Sequence, residues 1–537
     1  MTQILLGQSY FLRFDPKLWN AMQPYPPLGT LYAASTLRQY GYEVALFDAM
    51  LAESEQEWEE ALDQHRPQYA ILYEDNFNYL SKMCLLRMRE AAFNMIEMAK
   101  SRGCAVILCG ADATDHYETY LAKGTDYVLL GEGEETLVEL LNQLSEGKDT
   151  EQILGLVSSQ MLALPKEHRD DVSHVEGSNV KRRPDISNLD SLPFPAWDLV
   201  DIEKYRAIWL KRHGYFSMNM VTTRGCPFHC NWCAKPIWGQ RYHSRSPENV
   251  AAEMKWLKET YHPDHIWFAD DILGLKPGWL PRFADALHAQ GSLIPFKCLS
   301  RADLLTREGE VDALARAGAQ TVWMGAESGS QKVLDAMDKG TRIEQIHEAA
   351  RRLKHAGIRV GFFLQFGYPG ETCEDIEKTI QLVRDCEPDD IGISVSYPMP
   401  GTKFYNAVHE QLGEKQNWQD SNDLAMLYQG PFSTEFYRKL HSVVHKEFRA
   451  RKAWKSLTWT GRNQKGSTTK VTKEHKGKPF KRLRDSVSPW LRLGYNLLTL
   501  PIARMQLNRL ALSHNSGLTV PHMPHEAAAT PTPQEER

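Results

Sequence analysis

The chain has 537 residues, 42% hydrophobic and 24% charged, with a net charge of −5. This excludes a wholly disordered or collagen-like protein and is too long for one ordinary core. No apolar run reaches the roughly 18 residues of a spanning helix, and the N-terminal MTQILLGQSYFLRFDP has neither a cationic region nor a small-residue cleavage site, so the nine cysteines are expected to be reduced thiols or ligands rather than a disulfide framework.

Residues 1–148 alternate short apolar runs with helical patterns. TQILLG, EVALFDA, YAILYED, AVILCGA and DYVLLGEG read as strands, and GTLYAASTLRQYGY, EEALDQH, REAAFNMIEMAKSRG, ETYLAKG and EETLVELLNQL as helices between and after them. That rhythm predicts an α/β, doubly wound parallel sheet of the Rossmann-like kind, with ligands at the carboxyl ends of its strands. Asp75, Asn76, Asn78 and Tyr79 follow the third strand at that edge, and Lys82, Arg87 and Arg89 lie on the next helix. Contacts to a ligand or a domain interface and a solvated helix face both suit them. Cys84, Cys104, Cys109, Cys298 and Cys386 sit in apolar patterns as expected core thiols, and Cys373 lies near a helix start.

Residues 149–212 are polar, proline-containing and weakly periodic, which predicts a linker. From 213 to 408 the strand–helix rhythm resumes. SMNMVTTRG, HIWFADD, PFKCLSR, TVWMGAE, VGFFLQFG and IGISVSYP are six strands in order, which predicts a partial (β/α)6 TIM-type barrel. Residues 409–460 read as a helical extension.

Residues 461–537 read as a basic segment, an amphipathic helix and a disordered tail. From Lys446 to Asp485 there are 14 Lys or Arg against 3 Asp or Glu, a local +11, so the remainder sums to −16. Trp454, Trp459 and Phe480 interleave these charges, and the apolar SPWLRLGYNLLTLPIARMQLNRLAL that follows is dotted with arginines and broken by Pro501. A helical lid, a helix lying on a membrane surface and an RNA-contacting tail are the three readings, in that order.

The sharpest signal is TTRGCPFHCNWC, which spaces Cys226, Cys230 and Cys233 as C-x3-C-x2-C after the first barrel strand. Three close thiolates suit one soft metal centre. A fully protein-ligated [4Fe–4S] cluster takes four cysteines, yet the next is Cys298, so one iron would stay open. The alternative, a structural zinc site, needs His229 as fourth ligand. His229 immediately precedes Cys230, which strains convergence, and a second ligand pair is missing.

This cysteine motif, with Trp232 in its aromatic slot, resembles the radical SAM superfamily. There the open iron is chelated by S-adenosylmethionine (SAM), which is reductively cleaved to a deoxyadenosyl radical. The strand ends fit the same resemblance, which implies cofactor contacts from Asp270 in FADD, from Ser300, Arg301 and Asp303 in KCLSRAD, from Glu327 and Ser328 in MGAESGS, and from Gly367 in FGYPGET. A doubly wound domain ahead of the barrel further resembles the B12-binding radical SAM class, which includes methyltransferases and the anaerobic cyclase of bacteriochlorophyll synthesis. That resemblance implies cobalamin over the barrel mouth, with Pro26, Pro27 and Gly29 shaping the loop under the corrin. Asp75, Asn76, Gly110, Gly131, Glu132 and Gly133 would lie near the cofactor. The D-x-H-x-x-G of histidine-ligating cobalamin domains is absent, and Asp63-Gln64-His65 is misplaced and lacks the glycine, so base-off binding without a histidine ligand is expected. The resemblance implies methylation of an unactivated carbon of a small-molecule or lipid-like substrate, with radical cyclisation or rearrangement as the alternative. RNA methylthiolation is a further alternative, but the second cysteine triad it needs is missing, and no nucleic acid is favoured. A flavodoxin- or ferredoxin-like reductant and a cytoplasmic setting poor in oxygen are expected, with peripheral contact at the inner membrane face as an added role for the basic segment.

Overall fold

Five of the first domain's strands are short and buried because both faces of the sheet are covered by helices. They are β1 (Ile4–Gly7), β2 (Val44–Leu46), β3 (Tyr69–Tyr73), β4 (Ala105–Cys109) and β5 (Tyr127–Leu129). A sixth, β6 (Leu156–Ser158), pairs antiparallel with β5, and the order is β2-β1-β3-β4-β5-β6. The computed structural model describes residues 3–83, 85–162, 181–235, 237–462 and 489–514. Cys84, Phe480 and the expected disordered tail from residue 515 onward lie outside the described residues.

The barrel strands are β7 (Ser217–Met220), β10 (His265–Phe268), β11 (Phe296–Ser300), β12 (Ala319–Glu327), β13 (Arg359–Phe366) and β14 (Asp390–Val395). A two-residue antiparallel pair, β8 (Thr223–Arg224) and β9 (His243–Ser244), brackets the cysteine loop. The six long strands are all parallel, each beside its predecessor in the order β14-β13-β12-β11-β10-β7, so the barrel is open. Alternation along each strand decides the faces. Ile266, Phe296, Cys298, Val322, Val360 and Phe362 pack under the helices with Met254, Leu257, Phe283, Leu287, Ile346 and Leu353. The opposite positions face the barrel interior.

The described residues between 149 and 212 hold more regular structure than a linker. Besides β6 they hold the helix Ile202–His213, started by Asp201 accepting from the Lys204 N–H and ended by Gly214 at φ 81°. Its charged sequence hides a buried edge of Ile202, Tyr205 and Trp209. Trp209 Nε1 donates to the Pro24 carbonyl (2.7 Å) and the Tyr205 hydroxyl to Asp48 (2.7 Å). The helix therefore joins the two domains.

The C-terminal region closes the open side. Residues 412–433 run back to the first domain, where the Leu86 N–H donates to the Trp418 carbonyl (2.8 Å) and the Ser421 hydroxyl to Asp15 (2.6 Å). The helix Thr434–Arg462 follows, and Pro489–His514 packs along it, with Arg504 paired to Glu447 at 2.5 Å. Leu498, Ile502, Met505 and Leu512 of that last helix point outward. No described helix is long and apolar enough to cross a membrane.

Arg224 ties the two domains together. Its guanidinium meets Glu132 (2.5 Å) and Glu134 (2.7 Å), all three nearly fully buried. The rings of Tyr32, Phe77 and Trp238 surround it at 5.6, 5.7 and 6.0 Å, and Trp238 Nε1 also donates to Glu132 (3.0 Å). Removing one member of such a set leaves buried charge uncompensated, at a cost of about 3–5 kcal/mol. Arg224→Met should lose stability of that order in chemical denaturation, and adding Glu132→Gln and Glu134→Gln should recover most of it. A loss below about 1 kcal/mol would show that the interface does not depend on this pair.

Glu371 closes the turn after β13 by accepting the Gly367 N–H (2.7 Å), and burial holds its carboxyl up to about 8. The folded state thus keeps a proton that the unfolded chain gives up near the ordinary carboxylate value. The associated stability is complete at low pH and is lost as pH rises toward 8. Glu371→Gln should remove that loss. Its advantage over wild type should grow between pH 5 and 8, on the order of 1 kcal/mol per pH unit at the steepest, and level off above. Parallel pH profiles of unfolding would contradict this.

Candidate functional site

The cysteine loop begins where β8 ends. Gly225 turns the chain at φ 79°, and a Cβ there would lie 2.2 Å from the Arg241 carbonyl, so only glycine fits. Asp270 holds the strand before the turn: one of its oxygens accepts from the Thr222 N–H (2.7 Å), the Thr223 N–H (2.6 Å) and the Thr223 hydroxyl (2.7 Å). Burial raises its carboxyl to about 6. Asn231, between the second and third cysteines, pins the loop from the other side. Its amide donates to the Ala336 carbonyl (2.7 Å), its side-chain oxygen accepts from the Tyr368 hydroxyl (2.9 Å), and its own N–H donates to the Met337 carbonyl (3.0 Å).

Cys226, Cys230 and Cys233 are partly exposed and line one cavity of about 560 Å³. The first domain contributes Tyr10, Tyr25, Asp75 and Asn78 to Lys82 to the opposite wall, and Trp418 and Leu424 close the side. Burial raises the Cys226 thiol and pushes Cys233 up to about 12, so these thiols stay protonated until a metal centre displaces the protons. Arg301 lies 3.8 Å from the Cys230 sulfur and 3.6 Å over the Phe228 ring, clamped by Asp303 (2.9 Å) and the Lys339 carbonyl (2.8 Å). Lys339 pairs with Glu327 at 2.8 Å. Glu327 sits at φ 55° where β12 shifts register, and Gly325 makes room for this pair, since a Cβ there would lie 2.4 Å from the Glu327 carboxylate. Across the cavity Lys82 pairs with Asp271 at 2.8 Å.

The donor set fits an iron–sulfur cluster better than a single ion. Three soft thiols face one space, and His229, the fourth ligand a zinc site would need, is exposed and off the lining. Among the described residues no three His, Cys, Asp or Glu side chains converge on one point, whereas a cluster spreads its thiolates around a larger core. Features suited to a small polar cofactor are present too. The second Asp270 oxygen and Trp232 Nε1 are buried on the lining and meet no partner among the described residues. Among the described residues no histidine lines the cavity.

Of the residues expected from sequence, the cavity gathers Cys226, Cys230, Cys233, Trp232, Asp270, Ser300, Arg301, Glu327 and Asp75. The others take different places. Asp303 orients Arg301, and Ser328 is buried against the Thr379 hydroxyl (3.1 Å). Gly367 packs under Met426 and Tyr437. Pro26 offers its carbonyl to Asn219 (3.0 Å), Pro27 starts the helix Leu28–Gln39, and the Gly29 N–H donates to Asp75 (3.0 Å). Asn76 is buried beside that contact, off the lining.

The glycines expected to cradle a nucleotide tail each make room for one of the chain's own side chains. A Cβ at Gly110 would meet Glu74 at 2.8 Å, one at Gly131 Arg182 at 2.9 Å, and one at Gly133 Cys109 at 2.5 Å. Glu132 is occupied by Arg224. Sequence reasoning also missed Asn231, Lys339 and Arg224. Arg224 and Asn231 lie inside the cysteine motif itself, which was the available signal, but nothing local marks Lys339. Cys104, Cys298 and Cys386 are buried free thiols, and Cys373 is exposed.

A model described as "Radical SAM superfamily" matches residues 220–383, and one described as "B12 binding domain" matches 19–141. An uncharacterized methyltransferase of Pyrococcus horikoshii, PH0819, is 31% identical over 299 residues, covering 55% of this chain and 60% of that relative, less than two thirds of its length. The anaerobic magnesium-protoporphyrin IX monomethyl ester cyclase of Synechocystis is 25% identical over 401 residues, covering 72% and 73%. The radical S-adenosylmethionine methyltransferase TsrM of Kitasatospora setae, solved with cobalamin and a [4Fe–4S] cluster, shares the fold at a TM-score of 0.59 and 21% identity, covering 76% of this chain and 78% of that one. With both domains matched in this order and meeting at one cysteine-lined cavity, the chain belongs to the radical SAM proteins that carry a B12-binding domain.

Proposed function

We propose that the chain is a cobalamin-dependent radical SAM methyltransferase acting on an unactivated carbon of a small-molecule or lipid-like substrate. The observation that carries this reading is one cavity lined both by the three cysteines and by the segment after β3 of the B12-type domain. When bound, a [4Fe–4S] cluster on Cys226, Cys230 and Cys233 supplies the electron that cleaves SAM, and a corrinoid supplies the methyl group.

The chain's own residues position and shield these groups. Asn231 and Asp270 fix the two ends of the cysteine loop. Arg301 holds positive charge beside the Cys230 sulfur, where it would face a bound cluster. Glu327 with Lys339, the free Asp270 oxygen and Trp232 Nε1 offer acceptors and donors for the amino-acid end of SAM. Tyr10, Tyr25, Asn78 and Tyr79 form the wall for a base-off corrinoid. Trp418 and Leu424 cover the open side, which limits water at the reacting centre. An oxygen-sensitive centre of this kind supports a reducing, cytoplasmic setting and a flavodoxin- or ferredoxin-like reductant.

The relatives include a cyclase as well as methyltransferases, so the products decide between them. Reconstituted anaerobically and given substrate, the protein should form 5′-deoxyadenosine and S-adenosylhomocysteine together. Deoxyadenosine alone would replace methyl transfer by radical oxidation or cyclisation. The triple variant Cys226→Ala, Cys230→Ala, Cys233→Ala should lose iron, brown colour and SAM cleavage while the first domain stays folded and still shows base-off corrinoid absorption. SAM cleavage retained in that variant would refute the cluster assignment.

A further inference from the structure

The cavity is divided by polarity. Its charged lining groups stand on loops, short helices or strand ends and are mostly paired, as Lys82 with Asp271 and Lys339 with Glu327. Below them the described strand-interior residues that line the same space are uncharged, with Lys297 of β11 set behind them, its Nζ 4.6 Å over the Trp267 ring. Trp267 of β10, Leu299 of β11, Trp323 of β12 and Phe363 of β13 cross the floor on a diagonal, since Trp267 is in register with Lys297, Leu299 with Trp323 and Phe363 with Gly325, and Asn219 of β7 stands at one end and Ser394 of β14 at the other.

Glycines build this floor. Trp323 lies across Gly361 on the next strand, where a Cβ would meet its indole at 2.3 Å, and Phe363 lies across Gly392, where a Cβ would meet its ring at 3.1 Å. The two rings stack on each other at 4.8 Å with 27° between their planes. Phe363 remains 39% exposed, an uncovered phenyl inside a barrel rather than on the outer surface. Asn219 marks the other end. Its Nδ2 donates to the Pro26 carbonyl (3.0 Å), which fixes the amide's orientation, and its buried Oδ1 meets no donor among the described residues. From β7 to β13 there are four strand steps, about 19 Å along the sheet at about 4.8 Å each, and less across its curve.

We propose that this floor seats the substrate, and that the substrate is an extended, uncharged, ring-containing hydrocarbon whose body stacks on Trp323 and Phe363 and whose one hydroxyl or N–H donor reaches Asn219 Oδ1. The inference rests on the proposed function for the site's role and names its substrate class. An ionised group on the body would be desolvated between the Trp323 and Phe363 rings without a counter-charge, the cation behind the floor being Lys297, whose Nζ lies over the Trp267 ring at 4.6 Å. A compound as small as a single amino acid would leave most of the floor uncovered.

The test is direct binding, with no turnover required. The full-length protein is titrated with 1-pyrenemethanol, its methyl ether and pyrene-1-sulfonate by fluorescence, both as wild type and as the triple cysteine variant. The alcohol should bind more tightly than the ether, the sulfonate should bind weakly, and free tryptophan should fail to compete. Phe363→Leu and Trp323→Leu should each weaken the alcohol about three- to tenfold. Asn219→Leu should abolish the preference for alcohol over ether while both still bind. Binding indifferent to Phe363 and Trp323, sulfonate binding equal to the alcohol, or effective competition by tryptophan would each overturn the proposal. Because the probes need neither iron nor SAM, a wild-type protein that lacks SAM cleavage but binds the alcohol in this pattern would sink the proposed function and leave the floor assignment standing.

Discussion

A buried arginine between two glutamates holds the molecule's functional geometry. Arg224 belongs to the barrel and precedes the first cysteine by two residues, while Glu132 and Glu134 belong to the start of the first domain's last parallel-sheet helix and the turn before it. Three buried charges are tolerable only if they are matched and hydrogen-bonded, so the two domains have one register in which this set closes. The same contact that docks the domains fixes the start of the cysteine loop. The cavity between them is therefore a consequence of the ion pair and its aromatic surround.

The cavity then sorts its chemistry by height. Polar and charged groups sit where strands end and loops begin, because there the backbone can be capped and opposite charges can meet across the two domains. Lys82 reaches Asp271 from the other domain, and Arg301 is locked by Asp303 and a backbone carbonyl before it faces Cys230. The strand interiors below have only side-chain alternation to offer, and this chain fills them with indole and phenyl rings laid over glycines. A polar ceiling and an apolar floor thus share one enclosure.

Much of this was legible in the sequence because it is written locally. The five parallel strands of the first sheet and the six of the barrel show as apolar runs of the right length between helical patterns, and C-x3-C-x2-C marks its own loop. What was not legible depends on partners far away in the chain. Strand β6 is three residues long and exists only by pairing with β5. The helix Ile202–His213 has a charged sequence whose buried edge is defined by Pro24 and Asp48. The neighbours of Gly110, Gly131 and Gly133 were not legible either, since Glu74, Arg182 and Cys109 come beside them only in the folded sheet.

The sequence by itself determined the fold class, the order of the two sheets and the three thiols, since periodicity and short spacing act over a few residues. Only the tertiary structure decided which strand-end groups meet at the cysteines, that Lys339 and Asn231 join them, and that Glu132 pairs with Arg224 across the two domains. It also decided that Trp267, Trp323 and Phe363, separated by 40 or more residues, form one floor. The physical reason is that parallel pairing brings strands together whatever the length of chain between them, and side chains then meet across and diagonally over the sheet. A residue's neighbours across the sheet are therefore set by register and closure, which no local pattern encodes.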